Sequence, residues 1–74
     1  MNERELKVIE IVAEIIEVEK ETLTLDSARK EIEEWDSLSH VQIIAELEDA
    51  FGVSIPIEKV NEVRTIRDFV EFVG

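Results

Sequence analysis

Apolar residues recur at helical spacing in two long stretches of the chain. From Leu6 to Val18 they occupy one broad arc of a helix, while charged residues occupy the opposite face. From Ser37 to about Phe51 the same spacing returns. The residues of this second stretch that we expect to face the core are Ile43, Ile44, Leu47, Ala50 and Phe51. The pattern therefore predicts two long amphipathic helices.

The second of these helices has clear start and stop signals. Asp36 is a strong N-cap residue, and Ser37 then takes the first helical position, where backbone N–H groups have no partner within the helix. A phosphate on Ser37 would be stabilised there by these donors and by the helix dipole, by roughly 0.3–1 kcal/mol at an exposed site. Gly52 follows the last helical residue, as is typical of a helix C-terminus.

A short helix and a final helix are predicted after Gly52. Ile57 and Val60 are spaced for a single helical turn that ends near residue 61. Thr65 followed by Asp68 resembles a capping box, which predicts the start of a further helix. The apolar face of this final helix would consist of Ile66, Phe69, Val70 and Val73.

Residues 19–35 lack helical periodicity. Loops of this length in a small domain are commonly functional, and we expect a crossover connection held on the bundle by a few apolar side chains, with a short helical turn near residues 27–31. The complete pattern predicts an all-α fold. We expect a four-helix bundle of three main helices and one short helix, with a long first loop.

Length and composition limit what such a bundle can do. The 74 residues suffice for one small domain over residues 1–74, and the absence of Cys favours a reducing, cytoplasmic setting. With 19 acidic and 8 basic residues the net charge is −11, which disfavours nucleic acid and anionic membranes as partners. We therefore expect a monomer that binds basic protein surfaces, although acidity that serves only solubility would look the same.

A second apolar group lies on another side of the helix that begins at Ser37. We call the residues Leu38, Val41 and Ala45 the apolar strip. Because so small a bundle can cover only one face of this helix, we expect the strip to be exposed and to act as a docking surface. A loop that covers it is the alternative. The polar residues that flank the strip are Gln42, Glu48 and Asp49.

The cluster of residues from Asp36 to His40 invites a comparison with hydrolases. Ser37 and His40 are one helical turn apart, but Asp36 caps the helix and is badly placed to orient His40. We therefore predict no catalytic residues, and we expect His40 to be a partly buried core residue that donates one hydrogen bond. Trp35 is interpreted as a hydrophobic staple. One His and no Cys also argue against a metal site.

The motif Asp36-Ser37-Leu38 and the residues that follow it carry a resemblance that covers essentially the whole chain. The matching positions after the motif are Val41, Ile43-Ile44, Leu47-Glu48, Phe51, Ile55-Pro56 and Thr65-Ile66-Arg67-Asp68. Together with the order of elements and the acidity, they make the chain resemble an acyl carrier protein.

The resemblance implies a fold, a cofactor and partners. The implied fold is a four-helix bundle. The implied cofactor is 4′-phosphopantetheine, which a phosphopantetheinyl transferase would transfer from coenzyme A to Ser37. Asp36 and Leu38 would complete the motif that the transferase recognises. Acyl groups would then travel as thioesters on a flexible arm, which gives them a high effective concentration at each enzyme. Acyl-loading and acyl-transferring enzymes would approach with basic residues. The surface that they would meet comprises Leu38, Val41, Gln42, Ala45, Glu46, Glu48 and Asp49.

Several positions depart from the common pattern of fatty-acid carriers. Trp35 precedes the motif where a small residue is usual, Gln42 stands where Glu is frequent, Arg29 stands where a core Phe is often found, and His40 replaces a small residue. These departures predict a stand-alone carrier of a specialised pathway. Two alternatives stay open: an aminoacyl or peptidyl carrier, and an unmodified acidic adaptor that binds a basic protein.

Overall fold

The helices predicted from the hydrophobic pattern are present in the computed structural model, which describes residues 2–74. The described chain forms four α-helices: α1 (Glu3–Ile16), α2 (Ser37–Phe51), α3 (Ile57–Val60) and α4 (Ile66–Val73). Both α2 and α4 pack against α1, and α2 also contacts α4. Helix α3 is a single turn, as predicted. The prediction of an all-α bundle with three main helices and one short helix is confirmed.

Helix α1 ends two residues before the predicted boundary at Val18. Glu17 adopts a left-handed conformation with a φ of 59°, and its backbone N–H donates to the carbonyl of Ala13. The N–H of Val18 donates to the same carbonyl at 3.0 Å. This pattern closes a helix, and glycine is the usual residue at the left-handed position. Because the chain has Glu there, its sequence carried no stop signal.

The core lies where the three main helices meet. Its largest fully buried side chains are Phe69, Ile43, Leu47, Ile66, Val8 and Val12. The prediction that Ala50 faces the core was wrong, and one residue of the apolar arc of α1 is also exposed. Leu6 is 46% exposed, because it lies at the edge of the apolar arc of α1. Ala50 is exposed and lines a cleft between α1 and α2, together with Lys7 and Glu46.

The long first loop is attached to the bundle by side chains and by backbone hydrogen bonds. Leu23 is buried, and the N–H of Arg29 donates to the carbonyl of Arg64 at 2.8 Å. The N–H of Ile66 donates to the carbonyl of Ser27 at 3.2 Å. The predicted helical turn is a 3-10 helix at Arg29–Glu31, and a second 3-10 helix at Lys20–Thr22 was not predicted. These contacts fix the loop beside the segment that joins α3 to α4.

Helix α4 begins at the capping box predicted from Thr65 and Asp68. The carboxylate of Asp68 accepts hydrogen bonds from the backbone N–H groups of Arg64 at 2.8 Å and Thr65 at 3.2 Å. The four residues predicted for the apolar face of this helix, Ile66, Phe69, Val70 and Val73, are all buried. The cap also holds the segment that packs on the first loop.

Candidate functional site

The start of α2 is held by its N-cap residue. Asp36 is extended, with φ −90° and ψ −174°, and its carboxylate accepts a hydrogen bond from the N–H of Ser39 at 2.8 Å. Hydrogen bonds from Ser39 are the main cause that holds the pKa of Asp36 below its ordinary value. The residue therefore stays ionised and keeps the first turn of α2 in place.

Ser37 is the first residue of α2, and it is exposed. Its hydroxyl oxygen accepts a long hydrogen bond, 3.5 Å, from Nη2 of Arg29 on the first loop. Nε of the same guanidinium donates to the carbonyl oxygen of Trp35 at 3.4 Å. An incoming protein can therefore reach this hydroxyl, and a positive charge stands next to it.

Trp35 and His40 form a buried polar pair beneath this site. Indole Nε1 of Trp35 donates to Nδ1 of His40 at 3.0 Å, and Nε2 of His40 lies 2.8 Å from the carbonyl oxygen of Val60 on α3. Because a carbonyl only accepts and an indole N–H only donates, the ring is neutral and carries its proton on Nε2. Burial is the main cause that lowers the pKa of His40, and the charge of Arg29 adds to it.

This pair confirms the predicted role of Trp35 as a staple and of His40 as a core residue. Trp35 is 2% exposed, and its ring lies 6.1 Å from that of His40 and 5.5 Å from that of Phe69. His40 donates one hydrogen bond as expected, but it also accepts one and is more deeply buried than predicted, at 3% exposure. Both ring nitrogens are occupied, so His40 is not available as a base for Ser37.

The apolar strip on α2 is exposed, as predicted. Leu38 is 69% exposed and Val41 is 60% exposed, so no loop covers them. The other predicted surface residues that are exposed are Gln42, Ala45, Glu46 and Asp49. Glu48 differs, because it is half-buried and its carboxylate accepts a hydrogen bond from the N–H of Ile55 at 2.7 Å. One more large apolar side chain, Ile57 of α3, is 79% exposed.

A groove of about 760 Å³ opens between the first loop and the segment that joins α3 to α4. Its walls include Arg29, Lys30, Trp35, Val63 and Arg64. We call it the basic groove. It contains three of the eight basic residues of a chain whose net charge is −11. The guanidinium that contacts Ser37 belongs to one of its walls, so the groove adjoins the start of α2.

The amino-acid sequence is similar to those of known proteins over nearly its full length. The profile of the family described as "Phosphopantetheine attachment site" matches residues 6–73. The acyl carrier protein of Treponema pallidum strain Nichols is 40% identical over 73 residues, which cover 99% of this chain and 94% of that protein. The chain belongs to the acyl carrier protein family. Similar proteins include the acyl carrier protein of Treponema denticola, 36% identical over 67 residues that cover 90% of this chain and 86% of that protein. Another is the acyl carrier protein of Thermosynechococcus vestitus, 36% identical over 76 residues that cover 100% of this chain and 94% of that protein.

Membership in the acyl carrier protein family establishes the general role of the chain. It carries acyl intermediates, and it does so on a covalently attached 4′-phosphopantetheine. The prosthetic group contributes a thiol, which the chain itself lacks, and thereby allows thioester formation. The family also implies interaction with a phosphopantetheinyl transferase and with biosynthetic enzymes. The residues at the start of α2 fit such a group, because an exposed hydroxyl stands beside a cation.

Sequence reasoning missed two features of this site. The first is Arg29, which was noted only as an unusual residue in the loop and which contacts Ser37 in the folded chain. The second is the hydrogen bond from His40 to Val60, which ties α2 to α3. Within residues 2–74, no helix is long and apolar enough to cross a membrane, and no cluster of three or more potential metal ligands occurs.

Proposed function

We propose that Ser37 is the residue that carries the 4′-phosphopantetheine, with Asp36 and Leu38 forming the rest of the recognition motif. The observation that carries this proposal is the exposed hydroxyl at the first position of α2, with its helix start fixed by Asp36. A phosphodiester at this position meets the positive end of the helix dipole. Asp36 contributes by holding the turn, and Leu38 is exposed beside it for recognition.

The attachment is tested by intact-mass measurement. The purified protein is incubated with coenzyme A and a broad-specificity phosphopantetheinyl transferase. We expect a mass gain of one phosphopantetheine, no gain in Ser37→Ala, and an unchanged gain in the control Ser39→Ala, which removes a neighbouring hydroxyl. A folded wild type without the gain, or a Ser37→Ala variant that still gains mass, contradicts the assignment. The first of these results would instead favour an unmodified adaptor.

The partner surface is proposed to be the apolar strip together with Gln42, Glu46, Glu48 and Asp49. Support comes from the exposure of Leu38 and Val41 beside acidic side chains in a strongly acidic chain. Opposite charges speed the encounter of two proteins, and a small apolar contact fixes their register. Glu48 would contribute less than its neighbours, because its carboxylate already accepts a hydrogen bond from Ile55.

This surface is tested by measuring how fast the transferase modifies charge-reversed variants at low and high salt. We expect Asp49→Lys on α2 to slow modification at low salt, and high salt to reduce the difference. The control Glu71→Lys makes the same change in charge at an exposed position of α4 and should have little effect. Equal slowing by both variants would mean that total charge alone matters, and would contradict a docking surface on α2.

The proposal also covers the lack of catalytic activity, the cellular setting and the cargo of the carrier. The carrier is not itself an enzyme, a view supported by the occupied ring nitrogens of His40. It acts as a single acyl carrier domain over residues 1–74, as a cytoplasmic monomer, in fatty-acid, polyketide or specialised biosynthesis, and the departures at Arg29, Trp35, His40 and Gln42 favour the specialised pathway. An aminoacyl or peptidyl cargo is the second candidate. Mass spectrometry of the thioester on protein purified from its source identifies the cargo and thereby tests the pathway.

A further inference from the structure

Arg29 stands beside the hydroxyl that is proposed to carry the prosthetic group. Its Nη2 is 3.5 Å from the Ser37 oxygen, a distance that is long for a strong hydrogen bond. A phosphodiester on this oxygen would place two non-bridging oxygens, which share one negative charge, next to the guanidinium. Hydrogen bonds between Arg and phosphate are shorter and stronger than those between neutral groups.

The position of Arg29 is fixed by the backbone around it. Its own N–H donates to the carbonyl of Arg64 at 2.8 Å, and Ala28 forms an isolated bridge with Thr65. Nε of its side chain donates to the carbonyl of Trp35 at 3.4 Å, which leaves Nη2 directed at Ser37. These two long hydrogen bonds orient the guanidinium toward the start of α2 before any phosphate is attached, which reduces the side-chain entropy lost when it pairs.

The charges of the basic groove have no acidic partner among residues 2–74. The ion pairs in this part of the chain involve Lys20, Lys59 and Arg67. Arg29, Lys30 and Arg64 take part in none of them. In a chain of net charge −11, three cations without an ion-pair partner therefore lie together next to the attachment point, where they can pair with an anionic group. The apolar surface of Trp35 and Val63 lies between these charges.

From this arrangement we infer that Arg29 binds the phosphodiester of the prosthetic arm and that the basic groove receives the part of the arm next to the phosphate. The inference rests on the proposed attachment at Ser37. Arg29 acts as a positioning residue, because it holds the arm but does not contact the reacting thioester. The bound arm leaves the start of α2 between the first loop and the segment that joins α3 to α4, and the apolar strip, which is not part of the groove, stays free for partner enzymes.

The test follows the side-chain NMR signals of arginine before and after loading. Protein labelled with nitrogen-15 is compared in its unmodified and phosphopantetheinylated forms, and intact mass confirms the modification. We expect the Nε–H signal of Arg29 to shift on loading. The signal of Arg4 should stay in place, because this exposed side chain lies on the first turn of α1, beside Gly74.

Phosphorus NMR of the loaded protein provides the second measurement. We expect the phosphodiester signal to move toward that of the same loaded protein unfolded in urea in Arg29→Gln, and to stay unchanged in the matched control Arg4→Gln. Arg29→Lys, which keeps the charge but not the planar fork, should give an intermediate shift. Circular dichroism verifies that each variant is folded.

Two outcomes separate this inference from the proposed function. If the mass rises by one phosphopantetheine in a manner that depends on Ser37, but the Arg29 signal does not move on loading, the inference is overturned and the attachment stands. If the folded wild type gains no mass, the attachment at Ser37 fails and the inference fails with it. The wild-type comparison requires no variant, so it decides the matter even if Arg29→Gln does not fold.

Discussion

The neutral state of His40 makes the stability of the bundle depend on pH in a way that can be calculated. In the folded protein the ring accepts from Trp35 and donates to Val60, and it is only 3% exposed. Protonation would place an N–H on Nδ1 that faces the indole N–H, with no acceptor between them. Burial, the main cause, lowers the pKa of His40 from its ordinary value of 6.5, so the unfolded chain binds the proton more readily than the folded protein does.

The sign and size of the effect follow from proton linkage. The stabilisation from His40 is complete above the unfolded pKa of 6.5, and it is lost as the pH falls toward the lower pKa of the folded protein. The slope approaches ~1.4 kcal/mol per pH unit for one proton. Between about pH 7.5 and about pH 5.5, a ring that stays neutral in the folded state therefore reduces the free energy of unfolding by about 1.4 kcal/mol.

Urea denaturation followed by circular dichroism measures this effect at several pH values. The carboxylates of the chain also titrate, so the useful quantity is the difference in free energy of unfolding between the wild type and His40→Gln. Glutamine keeps a hydrogen-bonding group but does not titrate in this range. The wild type should be the more stable protein at pH 7.5, and its advantage should shrink at pH 5.5, by at most about 1.4 kcal/mol, which is the limit for a ring that stays neutral in the folded state. An advantage that stays constant or grows as the pH falls would refute the assignment of a neutral, buried ring.

Three further predictions concern stability. Trp35→Phe leaves Nδ1 of His40 without its donor and should lower the free energy of unfolding by about 1–3 kcal/mol in urea denaturation. The same substitution should cost less in a protein that already carries His40→Gln, and an equal loss in the two backgrounds would argue against the hydrogen bond. Glu17→Gly removes the side chain from a residue in the left-handed conformation and should raise the free energy of unfolding by about 0.5–1 kcal/mol, measured by thermal denaturation. Glu17→Ala should give no such gain, because alanine keeps the Cβ atom that disfavours this conformation. Glu48→Ala removes the acceptor 2.7 Å from the Ile55 N–H and should cost on the order of 1 kcal/mol; hydrogen exchange at the Ile55 amide should become faster, and an unchanged rate would contradict this role.

The helices were predictable because their signals are local. Asp36 and Gly52 mark the two ends of α2, and the structure places its boundaries at the predicted residues. The end of α1 was not predictable, because Glu17 lacks the usual signature of a left-handed cap. The burial of Ala50 was predicted wrongly, since a helical wheel shows which side a residue faces but not how closely the neighbouring helix approaches.

The amino-acid sequence was sufficient for the fold class, the family resemblance and the candidate Ser37, because helical periodicity and motifs are visible along the chain without knowledge of what packs against them. The surroundings of this serine, by contrast, depend on contacts between distant parts of the chain. Arg29 lies in an irregular loop, and it reaches Ser37 because its backbone pairs with Arg64 from a distant segment. The partner of His40 likewise comes from α3. Such contacts depend on how loops close over the bundle, and neither helical periodicity nor motif spacing carries that information.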